Sequence, residues 1–97
     1  MTIEKKINGT EAELILSGWL DTQSAADFEE TLNGLDPSVK SLSLDMTGLE
    51  YISSAGIRQI VEAHKKMNGA LTLRHVSVDI RDVLRMTGLD KRLNIEP

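Results

Sequence analysis

The sequence predicts a small α/β domain built on a mixed sheet, and three observations carry that prediction. A hairpin signal opens the chain, strand and helix periodicities alternate after it, and a length of 97 residues allows one compact core, so residues 1–97 are expected to form a single domain. Apolar residues make up 40% of the chain and charged residues 27%, the balance of an ordinary folded domain rather than a disordered segment. Ile, Leu and Val number 26, against three aromatics (Trp19, Phe28 and Tyr51). The core is expected to be aliphatic.

Residues 2–8 and 11–17 flank Asn8-Gly9, a dipeptide suited to positive φ at both central positions of a type I′ turn. Ala12, Leu14 and Leu16 share one face of the second strand, which ends at Gly18-Trp19-Leu20-Asp21. From Thr22, a fair helix cap, the period changes: Ala25, Phe28, Leu32 and Leu35 recur at helical spacing until Asp36-Pro37. Val39 to Met46 alternates again, with Leu42, Leu44 and Met46 inward and Ser41, Ser43 and Asp45 outward. A loop over residues 47–52 then leads to a helix opened by Ser53-Ser54, running from about 54 to 67. Its apolar face is Ile57, Ile60, Val61 and Met67, and its polar face carries Arg58, Gln59, Glu62, Lys65 and Lys66. A strand from Ala70 to Val76, a helix capped by Ser77 with Ile80, Val83 and Leu84 inward, and a short final strand or tail over 93–96 complete the chain. Leu42, Leu44, Ile60, Val61, Leu73 and Leu84 are the expected core.

The order β-β-α-β-α-β-α implies a hairpin joined to a parallel section. Right-handed crossovers bring the C-terminal ends of parallel strands to one edge, where sites of α/β sheets form. Asp21, Asp45, Ser53-Ser54 and His75 to Ser77 are all expected there.

Several function classes are disfavoured. Eleven Lys plus Arg against fifteen Asp plus Glu give a net charge of −4, without the basic stripe of a nucleic-acid binder. The chain contains no cysteine, which removes thiolate nucleophiles, disulfides and Cys-based metal sites. No long apolar run suits a membrane and the polar start is no secretory signal, so the expected address is the cytoplasm, without direct membrane insertion. Ser54, His64 or His75, and Asp21 or Asp45 supply the letters of a hydrolase triad, but no G-x-S-x-G elbow precedes the helix. Metal-ligand spacings and phosphate-cradling glycine loops are likewise missing, so no metal or cofactor is expected. Ser53-Ser54 remains. Either hydroxyl could simply cap the helix; alternatively, a phosphate placed there would meet unpaired N–H groups and the positive end of the helix dipole.

Four stretches give the chain a family resemblance: Gly18-Trp19-Leu20-Asp21; Leu44-Asp45-Met46-Thr47; Leu49-Glu50-Tyr51-Ile52-Ser53-Ser54-Ala55-Gly56-Ile57-Arg58; and Met86-Thr87-Gly88-Leu89-Asp90. Together they resemble a STAS domain of the bacterial anti-sigma factor antagonist type over most of the chain. The resemblance implies a small mixed sheet with helices packed mainly on one side. The family motif around its phosphorylated serine usually reads Asp-Ser-Ser/Ala/Thr-Gly-Leu-Gly. Ser54 aligns with the acceptor, Ala55 and Gly56 match, Ile57 replaces Leu, Ser53 stands where Asp is typical, and Arg58 where the last Gly often sits.

What the resemblance implies is partner switching by a non-enzymatic regulator. The unphosphorylated antagonist binds an anti-sigma factor that is itself a serine kinase, phosphorylation of Ser54 ends the binding, and a phosphatase restores it. Asp21, Ser53 and Gly56 are expected to support the acceptor; Arg58, Glu62 and Glu50 are expected to meet the partner, through the outer side of the helix and the 47–53 segment. A cation at Arg58, one turn from Ser54, suits either a phosphate or an acidic partner. The same scaffold also resembles the small cytoplasmic subunit of a lipid-transport ABC assembly, which is the alternative reading.

Overall fold

Alternation of side chains along the first twenty residues produces an antiparallel pair, β1 (Thr2–Asn8) and β2 (Glu11–Leu20). The computed structural model describes residues 1–96 of the chain, so Pro97 of the expected 1–97 domain lies outside the described residues. Asn8 pairs with Glu11, which makes Gly9-Thr10, not Asn8-Gly9, the centre of the turn. Only Gly9 has positive φ there, at 63°. That is the sign pattern of a II′ turn, which wants glycine first, rather than of the expected I′ turn.

The remaining elements follow as α1 (Thr22–Asn33), β3 (Ser41–Ile52), α2 (Ser54–Lys66), β4 (Leu71–Arg74), α3 (Val78–Met86), a 3-10 turn over Leu89–Lys91 and β5 (Asn94–Ile95). Strand order in the sheet equals chain order, antiparallel between β1 and β2 and parallel from β2 onward. Successive right-handed crossovers that step the same way must stay on the same face. The inward residues agree: Ala12, Leu14, Leu16, Leu42, Leu44, Met46, Leu71 and Leu73 form one buried cluster with Phe28 and Leu32 of α1, Ile60 and Ala63 of α2, and Ile80 and Leu84 of α3. Glu13, Ser43 and Thr72, on the alternate face, remain half-exposed. Of the expected core, only Val61 differs; it is half-buried at the margin of the cluster.

β3 departs most from expectation. Residues 47–52, expected as a loop, continue the strand to Ile52. Two irregularities in the pairing with β2 explain why the pattern was hidden: Ile15 and Ser17 face Asp45 and Gly48, and Gly18 and Trp19 face Leu49 and Tyr51. Each inserts one extra residue in β3, a β-bulge. The inward residues are therefore Met46, Leu49 and Ile52, three apart instead of two. β4, in contrast, stops at Arg74, short of the expected Val76, because His75 takes φ 56°.

Candidate functional site

The level ends of β2 and β3, where Leu20 pairs with Ile52, create the edge from which α1 and α2 start. Asp21 caps α1, a position expected for Thr22. Its carboxylate accepts the Ser24 N–H at 2.9 Å, while the Asp21 N–H donates to the Ser24 hydroxyl at 2.9 Å, a reciprocal capping box. The buried Ser24 hydroxyl also lies 2.7 Å from the Trp19 carbonyl and 2.9 Å from Asp21 Oδ1. The Ser24 N–H, and then its hydroxyl, hold the Asp21 carboxyl below its ordinary pKa by favouring the charged form. Asp21 is thus committed to α1. Among the described residues no hydrogen bond joins it to Ser54, the acceptor it is expected to support.

Ser53 caps α2 by accepting the Gly56 N–H at 3.1 Å, and its own N–H donates to the Leu20 carbonyl at 2.9 Å. The two serines therefore divide the roles between them. Ser53 holds the helix start, whereas Ser54 is exposed and its hydroxyl makes no hydrogen bond among the described residues. The first turn of α2 carries no acidic residue, so its dipole is uncompensated, unlike that of α1, which faces Asp21. Gly56 is buried, and a Cβ there would lie 2.7 Å from Leu20 Cγ and 2.8 Å from the Leu20 carbonyl oxygen. Its small size seats α2 on β2.

Arg58 is exposed one turn beyond Ser54 and makes no ion pair among the described residues. Glu62, on the same side, sits 3.8 Å from Lys65, a weak surface contact. Other members of the expected polar face turn toward α1: Gln59 donates to Glu29 at 3.1 Å and Lys66 Nζ to the Leu32 carbonyl at 2.6 Å. Glu50 is exposed on the outermost part of β3.

Asp45 and residues 75–77 do not join this edge. Asp45 is opposite Ile15 and Arg74, within β3 rather than at its end. Its carboxylate accepts the Thr47 hydroxyl at 2.7 Å and the Thr47 N–H at 3.0 Å. These bonds, with His75 and Arg74 adding smaller attractions, lower its pKa. Because β4 ends level with Asp45 while β3 runs on to Ile52, His75 to Ser77 lie well below Ser54.

Sequence reasoning missed Trp19 and Tyr51. They are partners in the β2–β3 register, their ring centroids are 5.2 Å apart at an interplanar angle of 43°, and they are 56% and 46% exposed. Trp19 lies between inward Leu16 and Leu20 at an outward, odd-numbered position, a signal available from period two. Tyr51 is brought opposite it only by the second bulge.

Consecutive strands in sheet order, with every crossover on one face, define a small one-sided α/β module. The chain belongs to the STAS domain family, whose model matches residues 2–97. Among solved structures, it is similar to an anti-sigma factor antagonist from Mycobacterium paratuberculosis (TM-score 0.87, 19% identity, covering 99% of this chain and 85% of that one). It also resembles the Bacillus cell fate determinant SpoIIAA in its phosphorylated form (TM-score 0.76, 14% identity, 99% of this chain and 92% of that one). A sulfate transporter family protein from Wolinella succinogenes shares the fold as well (TM-score 0.77, 19% identity, 93% of this chain and 76% of that one). At such identities the likeness is one of fold. No curated protein matches the chain in sequence.

Proposed function

We propose that this STAS domain is an anti-sigma factor antagonist that works by partner switching, with Ser54 as the phosphorylated residue. The observation that carries the reading is the division of labour at the head of α2: Ser53 is engaged in capping, while Ser54 presents an exposed, unbonded hydroxyl at an uncompensated helix N-terminus. In the unphosphorylated state the outer side of α2, led by Arg58 and Glu62, and the exposed Glu50 contact an anti-sigma factor that is also a serine kinase.

Phosphoryl transfer from ATP to the Ser54 oxygen breaks the bond between the γ-phosphorus and its bridging oxygen and releases ADP. The hydroxyl proton passes to a base of the kinase. The product brings about 1.5–2 negative charges to the surface. Free N–H groups at the head of α2 can hold the phosphate without refolding. Arg58, four residues on and on the same helix face, pairs with it and is withdrawn from the partner. A loss of about 3 kcal/mol by repulsion and lost pairing weakens binding more than a hundredfold. A phosphatase reverses the step in the cytoplasm. The domain itself catalyses nothing in this scheme, and neither nucleic acid nor a cofactor takes part.

The deciding experiment incubates the protein with the anti-sigma serine kinase of its own host and ATP, then maps phosphate by mass spectrometry and measures affinity. Phosphate on Ser54 with loss of binding, and a Ser54→Ala protein that binds and is not released by ATP, are the expected results. Modification elsewhere only, or equal affinity of both forms, refutes the reading. Co-purification with an ABC ATPase and its permease instead would favour a transport-assembly subunit.

A further inference from the structure

We propose that the Trp19–Tyr51 pair anchors the protein partner, inserting into an apolar recess on that partner at the strand-end edge that also carries Ser54. The inference rests on the reading of Ser54 as a partner-switching serine and extends it to a surface on the other side of the same edge. Two of the three aromatic residues in the chain stand in contact on the surface, 56% and 46% exposed, while the third, Phe28, is fully buried. Exposed, a ring pair gives up much of the burial that makes large aromatics stabilising. Trp and Tyr are also the side chains that most often dominate binding energy when a partner covers them.

The backbone is shaped to display them. Gly18, immediately before Trp19, takes φ 94°, a conformation that costs glycine little, and the second bulge of β3 sets Tyr51 opposite Trp19. Bulges commonly re-aim side chains in this way. Both strand ends are then fastened: the Ser24 hydroxyl is 2.7 Å from the Trp19 carbonyl, and Ser53 N–H donates to the Leu20 carbonyl at 2.9 Å. A pair held on fixed backbone loses little freedom when it is covered. Leu20, next to Trp19, is also the residue on which Gly56 and the first turn of α2 are seated, so the pair and Ser54 stand at the same end of β2 and β3, on its two sides, and a partner that caps this end meets both.

Charge selects the occupant. Glu50, beside Tyr51, is exposed, and the chain carries −4 overall, which disfavours stacking of nucleic-acid bases on the rings. A second copy meeting this patch about a two-fold axis would set Glu50 near Glu50. A different protein fits, with a cation facing Glu50 and a carboxylate facing Arg58, which has no ion pair among the described residues. That carboxylate is the group a phosphate on Ser54 would repel.

Trp19 is the only tryptophan, so 5-fluorotryptophan labelling gives a single fluorine resonance that reads this surface in the unaltered sequence. Titration with the purified anti-sigma serine kinase of the host, without ATP, should shift that resonance in step with complex formation. Trp19→Ala and Tyr51→Ala should each weaken the complex at least tenfold while remaining folded by circular dichroism at the temperature of the titration. A complex that forms while the resonance stays fixed and both variants bind like the parent overturns the anchor and leaves the Ser54 reading standing. A resonance that moves with protein concentration alone assigns the patch to self-association and overturns the proposal. If the parent does not bind the kinase at all, the Ser54 reading fails and the anchor fails with it.

Discussion

Replacing Gly56 by alanine separates the packing at the head of α2 from intrinsic helix preference, because the two predict opposite signs. Preference alone favours alanine over glycine by up to about 1 kcal/mol in a helix. In the structure, the added Cβ would lie 2.7 Å from Leu20 Cγ, 2.8 Å from the Leu20 carbonyl oxygen and 3.1 Å from Ile52 Cγ1. Comfortable carbon contacts are about 3.5–4.0 Å, so something must move by roughly 1 Å. The leucine side chain can rotate. Its carbonyl cannot follow easily, since it accepts the Ser53 N–H at 2.9 Å. Relief therefore comes from lifting the first turn of α2, at a strain typical of an overfilled core, about 1–3 kcal/mol. After the full helix-preference gain, Gly56→Ala should still be destabilised, by up to about 2 kcal/mol. Urea unfolding followed by far-ultraviolet circular dichroism measures this directly. A Gly56→Ala protein as stable as the parent, or more stable, would refute the claim that α2 is seated through this glycine.

Leu44→Ala removes a fully buried side chain from the centre of β3 and should cost about 2–5 kcal/mol; an effect under about 0.5 kcal/mol in the same unfolding assay would place residue 44 at the surface. Arg58→Glu should leave stability unchanged and slow association with the kinase, most strongly at low salt; parent-like binding at low ionic strength would exclude this face from the contact. Asp21 and Asp45 both have folded pKa values below the ordinary 3.8, so the unfolded chain binds more protons as the solution becomes acidic. Their contribution is complete above the unfolded value and is lost as pH falls through the folded one. The urea midpoint should therefore decline below about pH 4, and less steeply in Asp21→Asn; identical slopes in parent and variant would remove Asp21 as a cause.

The elements that obey a clean period were legible in the sequence. Leu42, Leu44 and Met46 marked their face of β3, and Ala25, Phe28 and Leu32 marked α1, because inward residues at spacing two or three-to-four are what burial demands. The outer half of β3 was illegible for the same reason: bulges make Met46, Leu49 and Ile52 inward at spacing three, which matches no strand template. The start of α1 was displaced by one residue, since both Asp21 and Thr22 can cap and only the bond to Ser24 chooses between them. At the site, the pair Ser53-Ser54 was visible as a helix start, but the assignment of capping to Ser53 depends on the Gly56 N–H direction. Placing Asp45 and His75 to Ser77 at the edge that carries Ser54 failed because strand length, not strand order, fixes where each crossover begins.

The unequal lengths of β3 and β4 give the molecule a stepped rim. α1 and α2 start side by side at the upper step, where Leu20 and Ile52 are level, and α3 starts at the lower one beside Asp45 and Arg74, each helix running back along the sheet. A body that settles on Ser54 thus rests on a promontory made by two strand ends and two helix heads. It can approach at a broad range of tilts, since the third helix does not stand in its way.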